Sequence, residues 1–497
     1  MTATTRLGLA LAGSALALAA CGSTVQMTSQ AQGAQQNGLT VDGGAVGPGG
    51  VGSSSTTVAG GTAPVTSVVP GAAVGSAGPA SPLPGGPVAT DQPVQASGRL
   101  PLGMTDKTIK IGIFTVAGFS AFGSSVGINV ATGDQAAEAK AVISYLNAHG
   151  GIAGRQIVPV FHDESVAGAA SNYEAEMQAA CSAWTQDNHV YAVATPIGTN
   201  GSSLYDCLSR AGVITSSAGE SRDAEFFQHY ANTFYMPVEM NLTRIMRDNV
   251  DALSAGGFWG KNPKIGLIRL DTPEEQRAVS QGLVPGLAAH GLKLADQFAL
   301  AADGGTTSYQ SAVLRFQTEG ITHVLFTYAS PLLFMEDAES QGYHPKYGLH
   351  SRSSPAALLQ GNAPNDQLAN AMGMGWQQYN DVDASHDPGP PSARAKLCLQ
   401  LMQQAGQNTK SGATALIGLW YCDALFFLHD ALAAAPSYTL AGFRAGAESL
   451  SSYEAASTFR SSFGPHRLHD GASAYRLFAF HTTCNCFEYV TPIRPAA

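Results

Sequence analysis

Between Thr108 and Ser351 the sequence switches repeatedly between two hydrophobic periods, and this restricts the fold more than anything else in the chain. Thr108-Ile109-Lys110-Ile111-Gly112-Ile113-Phe114-Thr115 repeats every second residue, as a strand does, whereas 134–148 spaces Ala137, Ala141, Val142, Tyr145 and Leu146 along one side of a helix. Gly150-Gly151 ends that helix. Strands are expected at 156–161, 190–195 and 213–216, with helices at 169–184 and 204–210 between them. The beat restarts after Pro237, with helices at 241–253, 275–290, 309–318 and 332–341 and strands at 264–270, 295–300, 323–328 and 347–351. Strand and helix in turn build a parallel sheet covered on both faces. Two such runs in series predict an α/β protein of two doubly wound parallel-sheet lobes. In open parallel sheets ligands sit beyond the carboxyl ends of the strands, so two such edges facing each other make a cleft.

The N-terminal residues have no such period. An apolar run at 7–20 follows Arg6, is too short to span a bilayer, and ends in Leu18-Ala19-Ala20-Cys21, which resembles a bacterial lipobox. The expectation is a signal peptide at 1–20, lipid on Cys21 and an extracytoplasmic protein held at the outer face of the membrane. Residues 22–99 are rich in Gly, Ser, Thr, Ala, Pro and Val, carry charge only at Asp42, Asp91 and Arg99, and contain no aromatic residue. Such a stretch cannot bury a core, so 21–104 reads as a disordered tether. The rest of the chain is long enough for two cores. An apolar stretch at 415–435 is interrupted by Asp423, His429 and Asp430, which reads as a buried globular helix. With 26 basic and 36 acidic residues, the chain is no obvious partner for nucleic acid.

Beyond Cys21 stand Cys181, Cys207, Cys398, Cys422, Cys484 and Cys486. In an oxidising setting their order suggests the local disulfides Cys181 to Cys207, Cys398 to Cys422 and Cys484 to Cys486, although spacing alone does not choose the connectivity. Buried free thiols are the alternative; a zinc site lacks a Cys-x-x-Cys ladder or a His pair beside them.

Lys110-Ile111-Gly112-Ile113, the Phe122-Gly123 loop and Asn147-Ala148-His149-Gly150-Gly151-Ile152-Ala153-Gly154-Arg155 resemble the opening of the branched-chain amino acid and amide binding proteins of ABC transporters, the type I periplasmic binding fold. Gly198-Thr199-Asn200-Gly201-Ser202-Ser203 resembles that family's hydroxyl-rich loop after the third strand, and Val213-Ile214-Thr215-Ser216-Ser217-Ala218 its next strand and ligand-facing loop. The resemblance implies three crossings between lobes, placed near 235–237, 351–354 and 463–466, so that 105–235 and 352–463 make the first lobe and 236–351 and 464–497 the second. It implies that a small-molecule ligand draws the lobes shut and that an ABC permease or membrane receptor reads the closed form. The function expected is capture of a small polar ligand, an amino acid, amide or small carboxylate, for an importer, with neither cofactor nor metal.

Strand-end loops supply the candidate ligand contacts: Phe119, Phe122, Ser124, Thr199, Asn200, Ser216 and Ser217 from the first lobe, and Tyr235, Asp271, Tyr328 and Arg352 from the second. Amino-acid binders of the family usually present an acid for the ligand ammonium at the second crossing, where this chain reads Leu349-His350-Ser351-Arg352-Ser353. Arginine there repels an ammonium group and can pair with a carboxylate or phosphate instead. Glu220, Glu239 and Asp271 are the acids that could stand in. A sensor or a surface scaffold on the same fold is the alternative, and Gly123-Ser124-Ser125-Val126-Gly127 with His466, His469 and Asp470 is a distant serine-hydrolase alternative. His162-Asp163-Glu164 and His466-x-x-His469-Asp470 read as solvated loop ends.

Overall fold

The computed structural model describes residues 100–117, 133–196, 202–220, 222–301, 307–382, 391–409, 412–465 and 467–497. The leader with Cys21, the tether through Arg99, Phe119, Phe122, Ser124, Thr199, Asn200 and His466 lie outside these residues, whereas 100–104, expected to end the tether, belong to the fold, with Met104 buried in the first core and bridged to Ile109.

Two sheets organise the folded part. β1 (Thr108–Ala117), β2 (Gln156–Ser165), β3 (Ala192–Thr195), β4 (Ile214–Ser217) and β5 (Phe234–Tyr235) form the first in the order β2-β1-β3-β4-β5, with every pair parallel. In the second, β6 (Ile265–Leu270), β7 (Leu294–Leu300), β8 (His323–Phe326), β9 (Lys346–His350) and β10 (Ala371–Gly375) are parallel in the order β10-β9-β8-β6-β7. β11 (Ala474–His481) and β12 (Cys486–Tyr489) extend that sheet antiparallel beyond β10, and β13 (Arg494–Pro495) pairs with β11.

This topology corrects one expected boundary. Residues 352–375 do not return to the first lobe after β9: β10 pairs with β9, and Leu358, Ala363, Leu368 and Ala371 are buried in the second core, with Tyr379 the next residue to enter the first core. Ala395, Cys398, Leu401 and Met402 on the Ala393–Gln404 helix then pack in the first core. Three crossing segments are stitched together. Met236 bridges Asp470, Gln377 bridges Thr458, and Ser461 Oγ donates to the Pro237 carbonyl at 2.6 Å.

Helix starts follow capping chemistry. Asp134 accepts from Ala137 N–H at 2.9 Å before the Gln135–Ala148 helix, and Asn241 accepts from Arg244 N–H at 3.0 Å before the Leu242–Ala255 helix. The expected 169–184 helix is interrupted: Asn172 leaves helical geometry within Val166–Ser182, and its side chain accepts from Ala175 N–H at 3.2 Å to restart the turn. His162-Asp163-Glu164 belongs to β2 rather than to a loop, with Thr115 Oγ1 donating to the exposed Asp163 at 2.8 Å and Glu164 buried; His469 and Asp470 are also buried. The Gly412–Ala434 helix is long and apolar enough to cross a membrane, yet Leu419, Tyr421, Cys422 and Leu425 are fully buried in the first core.

The run from Asn147 to Arg155 has a physical account. Asn147 clamps the helix end to β2, accepting from Ile157 N–H at 2.6 Å and donating to the Ile157 carbonyl at 3.0 Å. Gly151 has φ +70°, and a Cβ there would collide with the Arg155 carbonyl. Arg155 donates to the Thr105 carbonyl at 2.7 Å and lies over the Tyr438 ring at 4.6 Å. Gly151→Ala is therefore expected to lower stability by about 2 kcal/mol, read from urea unfolding.

The structure joins Cys181 to Cys207 and Cys398 to Cys422, each tying two helices of the first lobe, and Cys484 to Cys486 in the β11–β12 turn. In the first turn of the Gln135–Ala148 helix, Glu138 is fully buried and neither carboxyl oxygen has a hydrogen-bond partner among the described residues. Burial, helped by the Asp134 charge, pushes its carboxyl up to about 8.

Candidate functional site

The carboxyl ends of the strands in the two sheets meet through a set of buried polar side chains. β4 ends at Ser217, whose hydroxyl donates to Glu220 at 3.1 Å. Tyr205 donates to both oxygens of Glu220 at 2.9 and 2.7 Å, and Arg222 Nε donates at 2.6 Å. Arg222 then reaches the second lobe, donating to Glu274 at 3.3 Å in the first turn of the Pro273–Ala278 helix. Arg277 of that helix returns the contact, donating to Asp223 at 2.6 Å. These pairs hold one side of the lobe junction closed.

Arg352 occupies the centre. β9 delivers it into a single 3-10 turn, Ser351–Ser353, and Ser354 follows in the left-handed region at φ +51°. Its guanidinium donates to Gly219 O of the first lobe at 3.1 Å, to Tyr328 Oη of the second at 3.1 Å and to Glu239 Oε1 beside the first crossing at 3.3 Å. Tyr328 and Trp420 lie against it, with ring centroids 5.2 and 5.8 Å from Cζ. Trp420 comes from the Gly412–Ala434 helix of the first lobe. Gly219 allows that approach, since a Cβ there would strike the Trp420 ring. One planar cation thus touches both lobes and a crossing.

Glu239 is saturated by the protein. Trp376 Nε1 donates to it at 3.0 Å and Gln377 Nε2 at 2.6 Å, besides Arg352. Complete burial pushes its carboxyl up to about 8, against the pull of Arg352 and of the two neutral donors. Two donors in the same cluster are in the opposite condition. Arg352 Nε and Trp420 Nε1 are buried and have no acceptor among the described residues, and the Ser216 hydroxyl on β4 has no partner either. Buried donors left without acceptors cost free energy, which a solute bringing oxygen acceptors recovers.

The structure therefore brings Arg352 and Tyr328 together and sets Ser217 on the neighbouring Glu220, while Ser216 is buried on β4 beside Ser217. It does not bring in Asp271, which is exposed and pairs with Arg269 at 3.2 Å. Tyr235 needs correction. It stands on β5 of the first sheet, not in the second lobe, and its fully buried ring stacks on His469 at 4.2 Å among Phe427 and Phe443. Trp420 is the residue that sequence reasoning missed. It sits in an apolar helical run, and only its unpartnered nitrogen against Arg352 distinguishes it.

The family model described as periplasmic binding protein matches residues 108–479. Among solved structures, an ABC transporter substrate-binding protein from Desulfitobacterium hafniense in complex with Leu is 16% identical with TM-score 0.53, covering 77% of this chain and 100% of that one. A solute-binding protein from R. palustris in complex with 4-hydroxybenzoate is 14% identical with TM-score 0.58, covering 79% and 98%. A fatty acid ABC transporter substrate-binding protein from Thermomonospora curvata is 17% identical with TM-score 0.53, covering 80% and 94%. A sequence search of curated proteins found no match. One parallel and one mainly parallel sheet, three stitched crossings, a polar cluster between their strand ends and a match spanning both sheets agree on one conclusion: the chain belongs to the periplasmic binding protein family.

Proposed function

We propose that this chain captures a small solute bearing a carboxylate between its lobes, outside the cytoplasm, and delivers it to an ABC permease, with lipid on Cys21 holding the protein to the membrane. The observation that carries the solute class is the pair of buried donors, Arg352 Nε and Trp420 Nε1, in side chains packed against each other and without acceptors among the described residues. A carboxylate offers two oxygens to such a pair and neutralises part of the arginine charge. The disposition of acids supports the same class. Glu220 is held by Tyr205, Ser217 and Arg222, Glu239 by Trp376, Gln377 and Arg352, and Asp271 by Arg269, so each acid nominated for a ligand ammonium is already engaged. A ligand ammonium beside Arg352 would meet repulsion, with these three acids already engaged. Closure is favoured because Arg352 touches both lobes, so a solute that binds it stabilises the closed arrangement selectively.

The test is a melting screen with matched compounds: 4-methylpentanoate, leucine, leucinamide and 4-hydroxybenzoate. Carboxylates without an ammonium group are expected to raise the melting temperature, by the equivalent of about 2.7 kcal/mol at a hundredfold excess over Kd. Leucinamide is expected to leave it unchanged. Stabilisation by leucinamide with none by either simple carboxylate would refute the assignment, and mass spectrometry of solute released on denaturation gives an independent identification.

A further inference from the structure

The β11–β12 hairpin carries chemistry that solute capture does not use. Its register sets His481 opposite Cys486 and Ala479 opposite Glu488. Side chains directly opposite each other, and those two apart on one strand, share a face, so His481, Cys486 and Glu488 stand together. Cys484 lies in the turn at their end, and Asn485 between the cysteines takes φ +53°. The two sulfurs and a Glu488 carboxylate oxygen all lie within 4.8 Å of one another. His481 Nε2 is 3.8 Å from Glu488 Oε2, is shielded from solvent and has no hydrogen-bond partner among the described residues.

The Cys484–Cys486 disulfide is a poor structural staple. A cross-link restrains the unfolded chain according to the loop it closes. Here the sequence separation is 2, against 26 and 24 for the other two bonds, and the Phe480–Phe487 and His481–Cys486 pairs already close the turn. The turn at 482–485 is exposed, so a reductant can reach Cys484.

We propose that His481, Cys484, Cys486 and Glu488 form a site for a zinc-class divalent cation that becomes available when this disulfide is reduced. A dithiol reductant supplies two electrons and two protons; the Cys484–Cys486 bond breaks, two thiols form, and the reductant leaves as its own disulfide. The cation displaces both thiol protons and takes two thiolates, the His481 imidazole and one Glu488 oxygen. Two sulfurs, one nitrogen and one oxygen suit tetrahedral zinc-like ions rather than calcium or magnesium. The spacing is His-x-x-Cys-x-Cys-x-Glu, which a search for Cys-x-x-Cys passes over.

Cobalt(II) tests this, because tetrahedral thiolate ligation gives it intense visible bands and a near-ultraviolet charge-transfer band. The full chain is titrated before and after treatment with dithiothreitol and its removal under argon, with thiol alkylation and mass mapping to identify the reduced pair. One equivalent is expected to bind with these bands to the reduced protein, and none to the oxidised protein. Affinity is expected to fall by about tenfold or more in His481→Ala, and the bands to vanish in Cys484→Ser/Cys486→Ser while its melting temperature stays at the parent value. Absence of the bands in reduced parent protein overturns the proposal, as does their survival in the double serine variant.

Discussion

Arg352→Gln is expected to lower carboxylate affinity by about 100-fold or more, measured by calorimetry, because it removes a desolvated cation that both lobes share. The change acts on two quantities that can be separated. For the solute, it removes Nε–H and the charge that meets a carboxylate. For the protein, it leaves Glu239 in the interior with only the neutral donors Trp376 and Gln377. The Glu239 carboxyl, already raised to about 8 by burial, then rises further and stays protonated. Stability should therefore fall in Arg352→Gln and recover in Arg352→Gln/Glu239→Gln, where no ionisable acid remains between them. Binding should not recover in the double variant. If it does, Arg352 serves only to neutralise Glu239, and the assignment of solute class fails.

The second large effect concerns Glu138. Its carboxyl is raised from 4.5 to about 8 in the folded protein, so the native state holds a proton that the unfolded chain has released through most of that interval. Stability is then fully present below about pH 4.5 and is lost as pH rises through 8. Asp381 and Glu239, both pushed up to about 8 chiefly by burial, act in the same direction. Glu138→Met keeps the volume, removes two buried oxygens that have no partner among the described residues and takes one titration away. We expect it to raise unfolding free energy by about 2 kcal/mol at pH 8, and to flatten the pH profile of urea midpoints. A variant profile parallel to that of the parent would show that Glu138 does not titrate between the folded and unfolded states.

The order of strands and helices is legible because the strand and helix periods differ and several helices open on a side-chain cap that can be read, as at Asp134, Asn241 and Thr272. The second crossing is not legible, for a physical reason. β10 reads Ala-Met-Gly-Met-Gly, with no β-branched residue, so it carries none of the usual strand signal. Its glycines are required by its neighbours: a Cβ at Gly373 would meet the Phe478 ring, and one at Gly375 the Asp381 carboxylate. Those neighbours come from a late strand and a short helix that nothing local announces. The site divides in the same way. Arg352 is recognisable because it stands where the resembling family places an acid, whereas the engagement of Glu220 and Glu239 depends on Tyr205, Trp376 and Gln377, which reach them only through the fold. Tyr235 is misread because an aromatic at a strand end looks the same whether it faces the junction or, as here, the helices behind the sheet.

Neither lobe is built from one continuous piece of chain. The five strands of the first sheet are complete by Tyr235, yet the helices Ala393–Gln404 and Gly412–Ala434 that share their core come more than a hundred residues later. β10 likewise waits for β11, a hundred residues on. A chain emerging from its N-terminus therefore has two half-covered sheets until nearly all of it is available, and pairings this distant form slowly. A polypeptide ending before residue 474 would lack the partner strand of β10 and leave the second sheet with an open edge, however much of the first sheet had already formed.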